Sequence, residues 1–123
     1  MTLDQYAAHI ARVCKIEDIE VDSHSRGGRA YRRQRRVKIR PVKSAITYAV
    51  ALHEIGHILG PRQAGTRLDK EVGAWEWAQE HAIEWTEAMT AKMKDCLQSY
   101  FDKVQRSPHM RRPYAGHPIF GMI

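Results

Sequence analysis

Hydrophobic and polar positions change their period several times along the chain, and each change marks a predicted element. Leu3, Tyr6, Ala7, Ile10 and Val13 recur at helical spacing, which predicts a first helix over residues 2–14 with Thr2 as its cap. His9 falls off that stripe and is expected at the surface. Ile16 to Val21 alternates isoleucine with acid and reads either as an extended link or as a first strand. Asp22 to Gly28 is turn chemistry, with His24 expected in solvent. Residues 30–41 read as a strand, because charged and β-branched residues alternate through Arg36, Val37, Lys38, Ile39 and Arg40. Pro41 ends the run and suits an edge strand, with a hairpin turn expected near Gly27-Gly28.

The next run, Ser44 to Leu59, is apolar nearly all round, which predicts a buried helix. Ser44 can cap it, and Gly60-Pro61 is a stop signal. A further helix is predicted from Asp69 as N-cap, with a break near Trp85-Thr86 and a last helix to about Val104. The stretch from Gln105 has prolines, glycines and no periodicity, and reads as a flexible tail or as an irregular strap anchored by Ile119 and Phe120. These elements imply one domain over residues 1–104, an irregular tail over 105–123, and an α+β fold with a small sheet packed on a central helix.

That central helix carries His53-Glu54-Ile55-Gly56-His57, an H-E-x-x-H pattern. Two histidines four apart lie on one helical face, one turn from each other, and can hold one Zn²⁺. Glu54 stands beside them, where it can take a proton from water. A catalytic zinc site normally has a third protein ligand. The following helix offers Glu71, Glu76, Glu80 and Glu84. At about 100° per residue, Trp75, Ala78, Ala82 and Trp85 all fall within about 40° of Glu71, so Glu71 is centred on the apolar stripe. Glu76, Glu80 and Glu84 form a row on the opposite side and are expected in solvent. A carboxylate on a buried stripe needs a partner. A metal supplies one, and so does a buried salt bridge. His81 and Tyr48 are auxiliary candidates, for polarising a carbonyl or orienting a ligand.

Charge adds one feature. Arg26 to Lys43 holds nine arginines and lysines and no acid, while the whole chain of 123 residues carries +6, so the basic character belongs to this segment. It admits three readings: contact with phosphates, an edge that accepts an extended and acidic peptide, or a charged edge that prevents aggregation. Cys14 and Cys96 lack metal-site spacing and are expected as reduced thiols. No signal peptide and no bilayer-spanning run is read, so a cytoplasmic protein is expected.

Ala51 to Gly60 (ALHEIGHILG), followed by Glu71-x-x-Ala74-Trp75-x-Trp77-Ala78, resembles the ImmA/IrrE-type zinc metallopeptidases. The family has an H-E-x-G-H helix and then a helix with E-x-x-A-N-x-F-A; here Trp75 stands at the Asn position and Trp77 at the Phe position. The resemblance implies a minimal zincin fold with a curved sheet. It also implies His53, His57 and Glu71 as zinc ligands, Glu54 as general base, and Arg36 to Arg40 as the strand edging the substrate cleft. The expected activity is metallo-endopeptidase cleavage of a regulator-type protein, with a helix-turn-helix repressor as the family's kind of substrate. The alternative is a non-catalytic protein of the same fold whose segment Arg26 to Lys43 binds nucleic acid or an acidic partner. A purely structural zinc site fits less well, because such sites are usually rich in cysteine.

Overall fold

A computed structural model describes residues 3–23 and 28–123. Thr2, His24, Arg26 and Gly27, on which some of the expectations fall, lie outside them. The described chain has four helices and a small sheet. They run α1 (Leu3–Ile16), β1 (Glu20–Ser23), β2 (Arg29–Tyr31), β3 (Arg36–Ile39), α2 (Ala45–Leu59), α3 (Arg67–His81) and α4 (Glu87–Arg106), with a 3-10 turn at Pro118–Gly121. This is an α+β architecture. No described helix is long and apolar enough to cross a membrane.

Helix α2 is the centre. Its side chains meet α1, α3, α4, β2 and β3, which is why it is apolar nearly all round. Ser44 caps it in a box with Thr47, where each side chain bonds the other residue's backbone N–H. Gly60 ends it with φ −81, so a left-handed conformation is not the reason for glycine here. Its space is: a Cβ at Gly60 would approach the Gly56 carbonyl at 2.5 Å and Trp77 Cβ at 3.0 Å. At Gly56 a Cβ would run into the Ala74 backbone. Backbone therefore sits on backbone where α2 crosses α3.

The sheet is open and mixed, in the order β1-β3-β2. β1 pairs parallel to β3, with Val21 opposite Val37, and β2 pairs antiparallel to β3, with Ala30 opposite Val37. The expected single strand over residues 30–41 is thus a hairpin of β2 and β3. Its turn falls at Arg32 to Arg35, and the turn expected near Gly27-Gly28 lies outside the described residues. Arg35 makes that turn with φ 49, without a glycine or proline to announce it. β3 is the central strand, which corrects the edge position expected for Arg36 to Arg40. Val37 and Ile39 face the core, while Arg36 and Lys38 lie on the outer face, 4.7 and 5.8 Å from the centre of the Tyr31 ring. Arg36 also pairs with Asp22 at 3.3 Å.

α1 packs on α2 through Tyr6, whose ring stacks on Tyr48 at 4.4 Å. His9 is buried, contrary to its expected surface position. Three residues on from Tyr6, it shares that face, and its Nδ1 lies 2.6 Å from the Tyr48 hydroxyl. α3 begins one turn earlier than expected: Thr66 is the N-cap, and Asp69 is the third residue of a capping box with it. The break between α3 and α4 spans residues 82–86, and Thr86 caps α4. The stretch after α4 is a strap. His117 and Ile119 are buried, His117 Nε2 lies 2.5 Å from Asp69 Oδ1, and Phe120 stays half exposed.

Candidate metal centre

His53 and His57 project from the same face of α2 towards the first turns of α3, where Glu71 faces them. His57 Nε2 lies 2.5 Å from Glu71 Oε2, and His53 Nε2 lies 3.3 Å from Glu71 Oε1. One ligand atom from each residue falls within 4.8 Å of the others. The expected convergence of these three side chains is therefore present, and it follows from packing. Gly56 lies between the two histidines and lets α3 approach at backbone contact, which brings the start of α3 under both rings.

The proton on His57 Nδ1 can be read from its neighbour. Gln63 Nε2 donates to the carbonyls of Pro61 (3.0 Å) and Lys70 (2.8 Å), a role only an amide NH₂ can fill. Gln63 Oε1 must then accept at 3.1 Å from His57 Nδ1–H. The Nε2 of His57 is left facing Glu71 and the cleft. His53 is held differently: its ring stacks on Trp75 at 4.4 Å and 19°, and Trp75 meets Trp85 edge to face. His53 Nε2 is buried and makes no hydrogen bond. An orphaned imidazole nitrogen beside a second imidazole and a carboxylate is the donor set that zinc takes, so these residues fit the ion.

Burial alone would push the Glu71 carboxyl up, but its contacts with His53 and His57 outweigh this and bring it to about 2. Burial pulls the His57 imidazole down, and Glu71 with Gln63 more than compensates, so it ends above its ordinary value. Glu54 goes the other way. Only 5% exposed, it is pushed up by burial, and the charges of His53 and His57 offset this only in part. Its Oε1 lies 3.4 Å from His53 Nδ1. Gly28, just before β2, presses on the same carboxylate: a Cβ there would come within 2.7 Å of Oε2.

These groups line a cleft of about 700 Å³. Its sheet-side wall is β2 with the end of β3, so of Arg36 to Arg40, the strand expected to edge the cleft, only Ile39 and Arg40 reach it. β2 is the edge strand on this side, β1 being the other edge of the sheet. The opposite wall is α4, through Lys92, Cys96 and Tyr100. Cys96 is the cysteine that folding brings near the motif; burial raises its thiol, with Lys92 opposing. Cys14 is buried elsewhere and pushed up to about 11 by burial.

Neither auxiliary candidate reaches the cleft. Tyr48, five residues before His53, lies on the far side of α2, where its hydroxyl accepts from the Ile83 N–H at 3.0 Å. His81 is exposed at the end of α3, stacked on Trp77 at 4.3 Å, with Nδ1 2.9 Å from the Trp77 carbonyl. Of the acidic row, Glu80 is exposed, Glu76 pairs with Arg62, and Glu84 accepts from the Tyr6 hydroxyl at 2.6 Å. Gln63 gave no signal in the sequence, being a loop residue whose three bonds are all tertiary or across a turn. Compared with protein-family models, curated proteins and solved structures, the chain matches none.

Proposed function

We propose that this chain is a zinc-dependent metallo-endopeptidase of the ImmA/IrrE type, acting on a regulator-type protein in the cytoplasm. The observation that carries this reading is the meeting of His53, His57 and Glu71, with one imidazole nitrogen buried and unbonded, beside the buried carboxyl of Glu54. His53 Nε2, His57 Nε2 and Glu71 would hold the ion. When bound, it supplies Lewis acidity, making a water acidic near neutral pH and polarising a carbonyl.

The chain's own residues supply the rest. Glu54 takes a proton from the attacking water and passes it to the leaving amine, so that water adds across the C–N bond. Its burial keeps it a stronger base than an exposed glutamate. Gln63 and Trp75 hold the two imidazoles in place. β2, as the edge strand on the cleft, offers main-chain groups that no strand among the described residues pairs with to an extended peptide, the role expected of Arg36 to Arg40.

Elemental analysis of the purified protein tests the site. About one zinc per chain is expected, lost or weakened in His53→Ala and Glu71→Ala. Glu54→Gln should keep the metal and lose peptide hydrolysis. A wild-type protein that takes up no metal even after zinc is added overturns the reading. The binding-protein alternative has one observation in its favour, the gathering of Arg29, Arg36 and Lys38 around the Tyr31 ring. Affinity for unrelated duplex DNA that falls steeply with salt would favour it.

A further inference from the structure

The cleft that holds the candidate metal centre has a charge its chemistry does not require. Arg29, Arg32 and Arg40 border it on the sheet side, and Arg67, Lys70 and Lys92 on the helical side. The carboxylates in the cleft, Glu54 and Glu71, face the histidines at its floor. Among the described residues none of the six cations makes an ion pair, whereas Arg35, Arg36 and Arg62, away from the cleft, pair with Glu17, Asp22 and Glu76.

Two of the six are placed against local preference. Arg67 and Lys70 occupy the first turn of α3, where the helix dipole favours acids. The acid of that turn, Asp69, is held by Thr66 and His117 and pairs with neither cation. An incoming anion gains from both the cations and the helix end. Between the charged walls, Ile46 lies 43% exposed on α2, one turn before Val50, and both border the cleft.

We propose that the cleft selects an acidic peptide segment with an apolar side chain at its centre. The peptide runs along β2, the apolar side chain rests on Ile46 and Val50, and flanking carboxylates meet the cations on both walls. An extended peptide suits this cleft better than a nucleic acid. The free edge of β2 pairs with main-chain amides and not with phosphates, and an exposed apolar patch lies between the cations. This assignment rests on the peptidase reading for its use, but the selection itself is a matter of binding.

The experiment is fluorescence anisotropy with full-length Glu54→Gln, which prevents turnover. Three labelled peptides of equal length share an Ile core flanked by Glu, Gln or Lys. The Glu peptide should bind at least about tenfold more tightly than the Gln peptide at about 50 mM salt, and lose most of that margin by about 200 mM. Arg67→Glu with Lys70→Glu should abolish the preference. Arg33→Glu with Lys38→Glu, an equal charge change outside the cleft, should preserve it. Equal binding of the Glu and Gln peptides, or a preference lost equally in both double variants, overturns the proposal. So does an oligonucleotide that binds more tightly than the Glu peptide and displaces it. Wild-type protein with zinc separates the two readings. Selective binding without cleavage sinks only the peptidase; cleavage of the Glu and Gln peptides at equal rates sinks only the charge selection.

Discussion

Asp69 and Glu71 stand two residues apart on α3, and each holds a histidine at 2.5 Å. Around Asp69 every donor has its acceptor. Asp69 Oδ2 accepts from the Thr66 N–H, and Oδ1 accepts from His117 Nε2. His117 Nδ1 accepts from the Ile119 N–H, which fixes the proton on Nε2. Around Glu71 one carboxylate serves two imidazoles, and His53 Nε2 remains without a bond. The first pair is closed and ties the C-terminal strap to the helix. The second is open, with more ligand atoms than the protein itself can use. A histidine–carboxylate contact alone does not mark a site; the surplus of donors does.

That contrast can be broken at the helix crossing. Only the Glu71 pair depends on the close approach of α2 to α3, so Gly56→Ala should separate Glu71 from His57 while leaving the strap in place. Forcing a methyl against the Ala74 backbone should cost roughly 3 kcal/mol or more, read as a lowered denaturation midpoint together with weakened metal uptake. Unchanged metal affinity in a destabilised Gly56→Ala protein would show that the site does not rely on that crossing.

The contrast is sharpened by removing one supporting residue from each pair. Gln63→Ala should weaken metal binding by about 10–100-fold, measured by chelator competition, because His57 loses the acceptor that orients it. His117→Ala should lower stability by on the order of 2 kcal/mol and leave metal affinity unchanged. If both variants moved metal affinity equally, the two pairs would be one network.

The smallest expected effect is in acid. Burial nudges the Asp69 carboxyl up, but hydrogen bonds from His117 and Thr66 hold it below its ordinary value of 3.8. A carboxyl lowered on folding contributes stability that is present above its unfolded value and lost as pH falls through the folded one. Wild type should therefore exceed Asp69→Asn in stability at neutral pH, with the electrostatic part of the margin shrinking below about pH 4 in denaturant titrations. A margin constant down to pH 2 would leave the pair no electrostatic part.

Glu71 was legible before folding because a carboxylate centred on an apolar stripe demands a partner. The boundaries of α2 were legible because Ser44 and Gly60-Pro61 bracket an unbroken run. The start of α3 was misplaced because Asp69 directly precedes the run, while the actual cap, Thr66, hides behind Arg67 and Leu68. The β2–β3 turn was missed because arginines make it. His9 and Tyr48 satisfy each other across two helices, so neither one's own element shows why it is buried. The cationic walls were only half visible. Arg29, Arg32 and Arg40 lie in the basic run, but Arg67, Lys70 and Lys92 join them only through folding.

The four residues proposed for the chemistry, His53, Glu54, His57 and Glu71, lie on two successive helices joined by one short loop. The sheet-side wall of the cleft, β2 with the end of β3, lies outside this span. The α2–α3 pair thus carries the whole His53, His57 and Glu71 cluster, while the sheet contributes a wall. On the proposed reading, uptake of an ion depends on α2 and α3 alone, and grip on a peptide depends on β2 as well.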